Sequence, residues 1–356
     1  SVSSMRRLIR ACYTGAGGYS YAKKADDVAR EYGFDRVAHL ASNENPWPPS
    51  PAAIEAAADA LRTANRYPDE RASALIEALR RYHGDYRFVT GSGMDGVIET
   101  VIRTVVEPGE SVVVSTPTFS FYGIAAAAHG ARVTSVPRRE DFSVDPAAFI
   151  EACRGAKLAF LCSPNNPTGN SVPPEVVEEI LEEMDGLLFL DNAYVDFADL
   201  DYRPLMHRHE NLILGRTMSK LFALAGFRVG YAFVPEWLEP FYQKAATPFA
   251  LNSVSMAAAI GALGDLDRMQ KIRDHVRIWR RRFLEEIPFR VYPSDANFVM
   301  IDVTPHTGDE VTERLAARGV LVRSCTSFPG LGNHYIRVSI GEDWENAQFL
   351  EAIKDI

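Results

Sequence analysis

The chain has 356 residues and a formal net charge of -9, with 47% hydrophobic and 24% charged residues. Because a single hydrophobic core stops growing at about 250 to 300 residues, this length predicts two domains. The negative balance argues against a nucleic-acid-binding surface, which needs a basic face, but it is compatible with a local basic pocket.

The four cysteines, Cys12, Cys153, Cys162 and Cys325, lie far apart along the chain. They form no zinc motif, and no other metal-ligand spacing is present, so no metal is expected. So few cysteines predict a reducing compartment without a disulfide framework. No apolar run reaches about 18 residues, and the N-terminus has no apolar signal core. The sequence therefore predicts a cytoplasmic protein.

From about residue 52, helical and strand patterns alternate along the chain. Apolar residues at helical spacing occupy 51–63, 73–82, 97–106 and 174–184. Short apolar runs between turn residues predict buried strands, at 88–89, 111–115, 158–162, 187–190, 212–214 and 229–234. The alternation predicts an α/β fold with a largely parallel sheet between two layers of helices.

The pattern changes at residues 248–252. A long helical stretch follows at 253–286, and the tail at 290–356 has the pattern of a small α+β unit. We therefore expect a large domain over residues 36–250. The N-terminal arm, residues 1–35, and residues 251–356 would form a smaller domain.

A glycine-rich turn, Gly91-Ser92-Gly93-Met94-Asp95-Gly96, follows the first predicted strand and leads into a helix. Glycines let the backbone approach a ligand, and the free N–H groups of a helix start suit a phosphate. The turn also matches the dinucleotide pattern G-x-G-x-x-G, which expects an acidic residue at the end of the next strand. That strand ends Ser115-Thr116-Pro117. A dinucleotide site and a plain structural turn remain the alternatives.

Two further strands are followed by polar segments. Ser163-Pro164-Asn165-Asn166-Pro167-Thr168-Gly169 makes a tight turn, and its functional interpretation has a side-chain amide that reaches a ring hydroxyl. Asp191 ends an apolar strand, where a carboxylate is costly unless it is paired. Its partner would be a cation in a buried salt bridge or a group that carries a proton, such as a pyridinium nitrogen.

Lys220 directly precedes the apolar run 221–225 and is one of only seven lysines in a chain with 31 arginines. Desolvation beside that run would lower the pKa of the amine and make it a nucleophile toward carbonyl groups. The alternative is a lysine that extends to the surface from a helix start.

These motifs, in this order, resemble the fold-type I, class II family of pyridoxal-phosphate-dependent aminotransferases across essentially the whole chain. The matching residues are the glycine-rich turn, Asn-Pro-Thr-Gly, Asp-x-Ala-Tyr, and Ser-Lys followed eight residues on by Arg228. The resemblance implies a large domain with a mostly parallel sheet between helices, a smaller α+β domain, and pyridoxal 5'-phosphate as the cofactor. The chain departs from the family at Asn192, where glutamate is usual.

Finer matches resemble the branch of this family that acts on histidinol phosphate. They are Gly18-Tyr19 and the segments 27–31, 40–46, 66–69, 252–255 and 335–338. The resemblance implies amino-group transfer between histidinol phosphate and the glutamate/2-oxoglutarate pair in histidine biosynthesis. The segment 323–331 is also similar to threonine-phosphate decarboxylases. Decarboxylation and a more general amino-acid aminotransferase are therefore kept as alternatives.

The resemblance also implies roles for the cofactor-binding residues. Lys220 would hold the cofactor as a Schiff base and move a proton at the substrate Cα. Asp191 would pair with the pyridinium nitrogen, Asn166 and Tyr194 would bond the ring hydroxyl, and Phe119 would stack on the ring. The phosphate would be held by the Met94 and Asp95 amides, Thr217, Ser219 and Arg228. Tyr67 would reach this phosphate from the partner subunit, which implies a homodimer with shared active sites.

Two arginines of the small domain, Arg323 and Arg337, are each flanked by apolar residues at strand spacing. Each guanidinium is expected to project from a strand into a cleft, although a surface strand with exposed cations gives the same pattern. Two guanidinium groups suit a phosphate dianion, and Arg337 alone suits a carboxylate. Tyr19 and Asn43 would line the same cleft, and Tyr19 could come from the partner subunit.

Overall fold

The structure is a computed structural model that describes residues 1–15 and 17–356. Its strands, in chain order, are β1 (Ala38–His39), β2 (Phe88–Ser92), β3 (Ser111–Thr116), β4 (Arg132–Pro137), β5 (Leu158–Cys162), β6 (Leu187–Asp191), β7 (Leu212–Thr217), β8 (Val229–Phe233), β9 (Arg290–Val291), β10 (Phe298–Asp302), β11 (Val320–Leu321), β12 (Arg323–Ser324) and β13 (Tyr335–Ser339).

Its α-helices are α1 (Val2–Met5), α2 (Ala25–Tyr32), α3 (Pro51–Ala60), α4 (Ser73–His83), α5 (Gly93–Val105), α6 (Phe121–Ala128), α7 (Pro146–Ala152), α8 (Pro174–Glu183), α9 (Glu239–Ala245), α10 (Ser253–Ala262), α11 (Leu266–Glu286), α12 (Gly308–Ala316) and α13 (Asp343–Ile353). Short 3-10 helices connect several of these elements. Among the helices described, none is long and apolar enough to cross a lipid bilayer.

The main sheet has seven strands in the order β2-β8-β7-β6-β5-β3-β4. The prediction of a largely parallel sheet is confirmed, with β8 as the exception, because β8 runs antiparallel to both of its neighbours, β2 and β7. Strand β7 continues to Thr217, three residues beyond its predicted end. The added length brings Thr217 and the following turn to the same edge of the sheet as Asp191.

The central strands are buried on both faces, which explains their continuous apolar sequences. Successive residues of one strand contribute to opposite cores: Phe160 and Phe189 pack on the side of α5, whereas Leu161 and Leu190 pack on the other side. The carboxyl ends of β5, β6 and β7 therefore meet at one covered edge. This edge is where an open α/β sheet binds its ligands.

A second sheet of four antiparallel strands has the order β12-β13-β10-β9. Strands β1 and β11 form a separate two-stranded parallel pair, which ties the segment before α3 to the C-terminal part of the chain. The predicted domain boundaries, at residues 36 and 250, stay a prediction. The predicted long helical stretch at 253–286 is wrong in one respect, because it is divided into α10 and α11.

The break between α10 and α11 has a local cause. Asp265 accepts a hydrogen bond from the Arg268 amide at 3.2 Å and so caps the start of α11. Asn252 caps α10 in the same way, through the Ser255 amide. Within α10, a Cβ at Gly261 would lie 2.6 Å from the carbonyl oxygen of Ala52, so a glycine is needed where α10 contacts α3.

His83, the last residue of α4, generates a prediction on acid stability. Its ring contacts the Tyr231 hydroxyl at 2.8 Å and Arg203 at 3.2 Å. Burial, and then the charges of Arg216 and Arg203, lower its pKa from 6.5 to about 2. The native state therefore excludes a proton that the unfolded chain takes up below about pH 6.5, and this lowers the free energy of unfolding by about 1.4 kcal/mol per pH unit.

We expect His83→Gln to lose less stability than the wild type when the pH is lowered from 7.5 to 5.5. Urea unfolding of both proteins at the two pH values measures the difference. The same loss in both proteins would show that His83 does not carry this acid sensitivity.

Candidate active site

A cavity of about 370 Å³ lies at the carboxyl edge of the main sheet. Of the residues predicted for the site, all but Tyr67 line it: Tyr19, Asn43, Met94, Asp95, Phe119, Asn166, Asp191, Tyr194, Thr217, Ser219, Lys220, Arg228, Arg323 and Arg337. Residues from both sheets and from the N-terminal segment therefore meet in one place. Their placement is as expected, whereas their individual roles remain predictions.

Several lining residues were not predicted. They are Ser20, Tyr21, Ala22, Ala41, Ser42, Glu44, Ser120, Cys162, Ala193, Ala225, Ser327 and Phe328. Most of them are neighbours of predicted residues and have small or neutral side chains, which give no chemical signal in a sequence. Glu44 is the exception, since its carboxylate is charged and adjacent to Asn43.

Lys220 follows β7 in the turn Met218-Ser219-Lys220 and is half-buried. Its Nζ atom donates to the carbonyl oxygen of Ser42 at 3.3 Å and lies 5.6 Å from the centre of the Tyr194 ring. Burial lowers the pKa of Lys220 to about 8, and the positive charges of Arg337 and Arg228 act in the same direction. The amine is therefore partly neutral, and so nucleophilic, near neutral pH, where an unperturbed lysine is almost fully protonated.

Asp191 is the last residue of β6 and is 3% exposed. Its Oδ2 atom accepts from the Tyr122 hydroxyl at 2.5 Å, and its Oδ1 atom accepts from the Ala193 amide at 2.9 Å. Burial raises its pKa to about 6, against the effect of these two hydrogen bonds. Among the described residues Asp191 has no ion-pair partner within 4 Å, so the buried salt bridge that the sequence left open is absent there.

The glycine-rich turn and Arg228 form a cradle beside the start of α5. Helix α5 begins at Gly93, so Met94 and Asp95 lie in its first turn, where N–H groups have no partner within the helix. Arg228 pairs with Asp95 at 3.1 Å. A Cβ at Gly230 would lie 2.3 Å from the Gly93 backbone, so only glycine allows β8 to approach the turn this closely. The cradle suits an anion such as phosphate.

Tyr194 belongs to a buried polar network. Its hydroxyl accepts from the Asn43 side-chain amide at 3.0 Å. The Asn43 side-chain oxygen accepts from the Ser339 hydroxyl at 2.8 Å, and Asn297 donates to the Asn43 backbone oxygen at 2.9 Å. Asn43 has a φ of 55°, in the left-handed region that asparagine tolerates better than most residues. The network fixes Tyr194 against the second sheet.

Arg323 and Arg337 face each other directly across the strand pair β12–β13. Both side chains therefore point to the same face of the second sheet, toward the cavity. Arg337 is buried and donates to the Asn166 side-chain oxygen at 2.6 Å and to the Ala41 carbonyl oxygen at 2.7 Å. Arg323 donates to the Ser20 carbonyl oxygen at 2.6 Å. The alternative of a surface strand with exposed cations is excluded.

The structure places Tyr19 in the cavity lining but leaves Tyr67 and Asn192 outside it. Tyr19 lines the cavity of its own chain, with its ring 5.9 Å from that of Phe119. Tyr67 is 83% exposed and stacks on Phe249 at 4.8 Å, outside the cavity. Asn192 is buried and donates to the Ser163 carbonyl oxygen at 2.9 Å. It is not among the cavity-lining residues.

Comparison with known families and proteins gives one consistent result. The model of the family "Aminotransferase class I and II" matches residues 35–353. A histidinol-phosphate aminotransferase of Methanoculleus marisnigri is 85% identical over 352 residues, which cover 99% of this chain and 100% of that protein. The match excludes the dinucleotide-binding alternative.

Solved structures agree with the fold. A histidinol-phosphate aminotransferase from Sinorhizobium meliloti, in complex with pyridoxal-5'-phosphate, has a TM-score of 0.85 and 28% identity, over 94% of this chain and 95% of that one. An L-threonine-O-3-phosphate decarboxylase from Porphyromonas gingivalis has a TM-score of 0.75 at 20% identity, over 89% of this chain and 98% of that one, and shows the fold alone. The chain belongs to the class I and II aminotransferases and is similar over its length to histidinol-phosphate aminotransferases.

Proposed function

We propose that this protein is a pyridoxal-phosphate-dependent aminotransferase that exchanges the amino group between histidinol phosphate and the glutamate/2-oxoglutarate pair, in histidine biosynthesis. The observation that carries this proposal is one cavity that joins the Lys220 amine, the Asp191 carboxylate and two cross-strand arginines. The 85% identity to a histidinol-phosphate aminotransferase supports this reaction over decarboxylation.

The residues present fit pyridoxal phosphate. Its phosphate would bind at the start of α5 with Arg228, Thr217 and Ser219. Gly230 packs against the backbone of the glycine-rich turn there, so closely that a side chain at position 230 would not fit. Its ring nitrogen would meet Asp191, whose carboxylate is available at neutral pH because its pKa is about 6. Its aldehyde would meet Lys220, the cavity amine with a lowered pKa. When bound, the cofactor supplies an electron sink for charge that develops at the substrate Cα.

The protein's own residues would control the proton and the orientation of the ring. Lys220, as a neutral amine, would remove the proton from the substrate Cα and deliver it to the C4′ carbon of the cofactor. Tyr194, held by Asn43, and Asn166, held by Arg337, would fix the ring hydroxyl from two directions. Phe119 would cover the face of the ring.

The arginine pair explains how one site would accept two different substrates. Histidinol phosphate has a phosphate dianion and no carboxylate, whereas glutamate has two carboxylates. The two guanidinium groups of Arg323 and Arg337 lie on opposite residues of neighbouring strands, so together they suit a dianion, and Arg337 alone suits a carboxylate. Each arginine already donates to a carbonyl oxygen, and a bound anion would compete for those donors.

We also propose a cytoplasmic homodimer with shared active sites. All four cysteines are unpaired, as expected for a reducing compartment. Tyr67 has a mostly exposed ring and does not contact the cavity of its own chain, so it is available to a neighbouring subunit. Its hydroxyl would complete the phosphate site of that subunit.

The holoenzyme should form glutamate from histidinol phosphate and 2-oxoglutarate without releasing carbon dioxide from threonine phosphate. Lys220→Ala should lose covalent attachment of the cofactor and nearly all turnover, because among the described residues no other lysine lines the cavity. Borohydride reduction followed by peptide mass spectrometry locates the attachment. Lys271→Ala, on the exposed side of α11, is the matched control. Label on a different lysine would refute the assignment, and carbon dioxide release would favour the decarboxylase.

Arg323→Ala should weaken the reaction of histidinol phosphate by roughly tenfold or more, because a charge-assisted hydrogen bond contributes about 1.5 to 3 kcal/mol. The glutamate reaction should suffer less, whereas Arg337→Ala should damage both. Stopped-flow measurement of each half-reaction gives these values. Arg318→Ala, which removes an exposed ion pair with Asp355, is the control. Equal losses for both substrates in Arg323→Ala would point to a general amino-acid aminotransferase.

Tyr67→Ala should lower cofactor affinity by roughly tenfold through the loss of a hydrogen bond to phosphate. A hybrid dimer of one Tyr67→Ala subunit and one Lys220→Ala subunit distinguishes the two arrangements. If Tyr67 acts across the interface, the hybrid contains one complete site, with wild-type cofactor affinity at that site and about half the turnover of the wild-type dimer. If Tyr67 acts within its own chain, both sites of the hybrid are defective. An active monomer in sedimentation would also contradict the shared site.

A further inference from the structure

We propose that Tyr122 is a positioning residue that orients the Asp191 carboxylate and keeps it ionised. The catalytic consequence of this role rests on the proposed function, in which Asp191 pairs with the cofactor ring. Tyr122 lies on α6 and was not among the predicted site residues. It is fully buried and is not among the residues that line the cavity, so it acts on the site only through its neighbours.

The contacts of Tyr122 define its action. Its hydroxyl donates to Asp191 Oδ2 at 2.5 Å, while the Ala193 amide donates to Oδ1 at 2.9 Å. Each carboxylate oxygen therefore has one donor, from Tyr122 behind the cavity wall and from Ala193 in the wall itself, and these two donors set the plane of the carboxylate. The Ala193 amide is fixed by the chain that follows β6, so the Tyr122 hydroxyl is the donor that a side-chain change can remove.

The ring of Tyr122 is itself held in place. It is parallel to the Phe160 ring, at 4.8 Å and 9°, and it meets the Phe119 ring edge-on at 5.4 Å and 84°. Phe119 lines the cavity, whereas Phe160 belongs to β5 in the core. One aromatic residue thus supports two cavity groups, Asp191 by a hydrogen bond and Phe119 by packing. Replacement by phenylalanine keeps the packing and removes only the hydroxyl.

The groups around Asp191 explain why the Tyr122 hydroxyl matters for the ionisation of its carboxyl. Asp191 is faced by Tyr122 from α6, Cys162 from β5, Asp95 from α5 and Lys220 from the turn after β7. The buried Arg138 lies near Tyr122 and Cys162, and burial lowers its pKa to about 10. Burial raises the pKa of Asp191, and the Tyr122 hydrogen bond acts against this rise. Without the hydroxyl, the carboxyl would hold its proton to a higher pH and could not pair with a protonated ring nitrogen.

The first test uses Tyr122→Phe in the cofactor-free enzyme. A carboxyl with a raised native pKa contributes stability at low pH, and this contribution is lost as the pH rises through the native pKa. In Tyr122→Phe the native pKa of Asp191 is expected to be higher, so the protein continues to lose stability up to a higher pH than the wild type does. The shift in urea midpoint relative to the wild type should therefore grow by roughly twofold or more between pH 5.5 and 8.0.

Two further proteins control this measurement. Tyr242→Phe removes the hydroxyl of another fully buried tyrosine, which donates to the Thr90 carbonyl oxygen at 2.8 Å, so its shift should not change with pH. In an Asp191→Asn background the titrating carboxyl is absent, so Tyr122→Phe should then give a shift that is independent of pH. A pH-independent shift in the wild-type background would overturn the proposal.

The second test uses the holoenzyme. Tyr122→Phe should lower kcat by roughly tenfold with KM nearly unchanged, and the loss should be larger at pH 6.5 than at pH 8.5. A purely structural role would lower kcat equally at both pH values, and that result would also overturn the proposal. If the wild-type enzyme transfers no amino group, the proposed function fails, whereas the urea measurement on the cofactor-free enzyme still decides the role of Tyr122.

Discussion

The burial of the Asp191 carboxylate is the constraint on which the rest of this site depends. Asp191 ends a strand that is buried on both faces, where an unpaired charge would be too costly. Its two oxygens accept hydrogen bonds from the Tyr122 hydroxyl, behind the cavity wall, and from the Ala193 amide. Tyr122 must therefore reach from α6, which packs on β3 and β4, to Phe160 of β5 and to the end of β6. The same packing places Phe119 at the cavity wall, so the wall and the charge are built together.

Burial acts in opposite directions on the two ionisable groups at the centre of the cavity. It raises the pKa of Asp191 to about 6 and lowers the pKa of Lys220 to about 8. Between these values an ionised carboxylate coexists with a partly neutral amine, which is the combination that proton transfer near neutral pH requires. The nearby Arg337 and Arg228 strengthen the effect on Lys220, because a third positive charge is unfavourable there.

The two sheets depend on each other at this site. Arg337 from the second sheet bonds to Asn166 from the turn after β5, and Asn43 connects Ser339 of the second sheet to Tyr194. These bonds are buried, so the polar groups on each side would be left unpaired if the sheets separated. The arginines that suit an anionic substrate are thereby held in a fixed position relative to the amine and the carboxylate.

The sequence by itself determined the buried strands and the polar residues that follow them, because continuous apolar runs and the residues at their ends are local features. It also placed Asp191, Lys220 and the glycine-rich turn at one sheet edge, since parallel strands share that edge. The tertiary structure alone decided that β8 runs antiparallel, that Arg323 lies opposite Arg337, and that Tyr122 reaches Asp191 across 69 positions of the chain. Contacts at such separations depend on how the helices pack on the sheet, and a local pattern of residue types does not specify which distant partner a side chain meets.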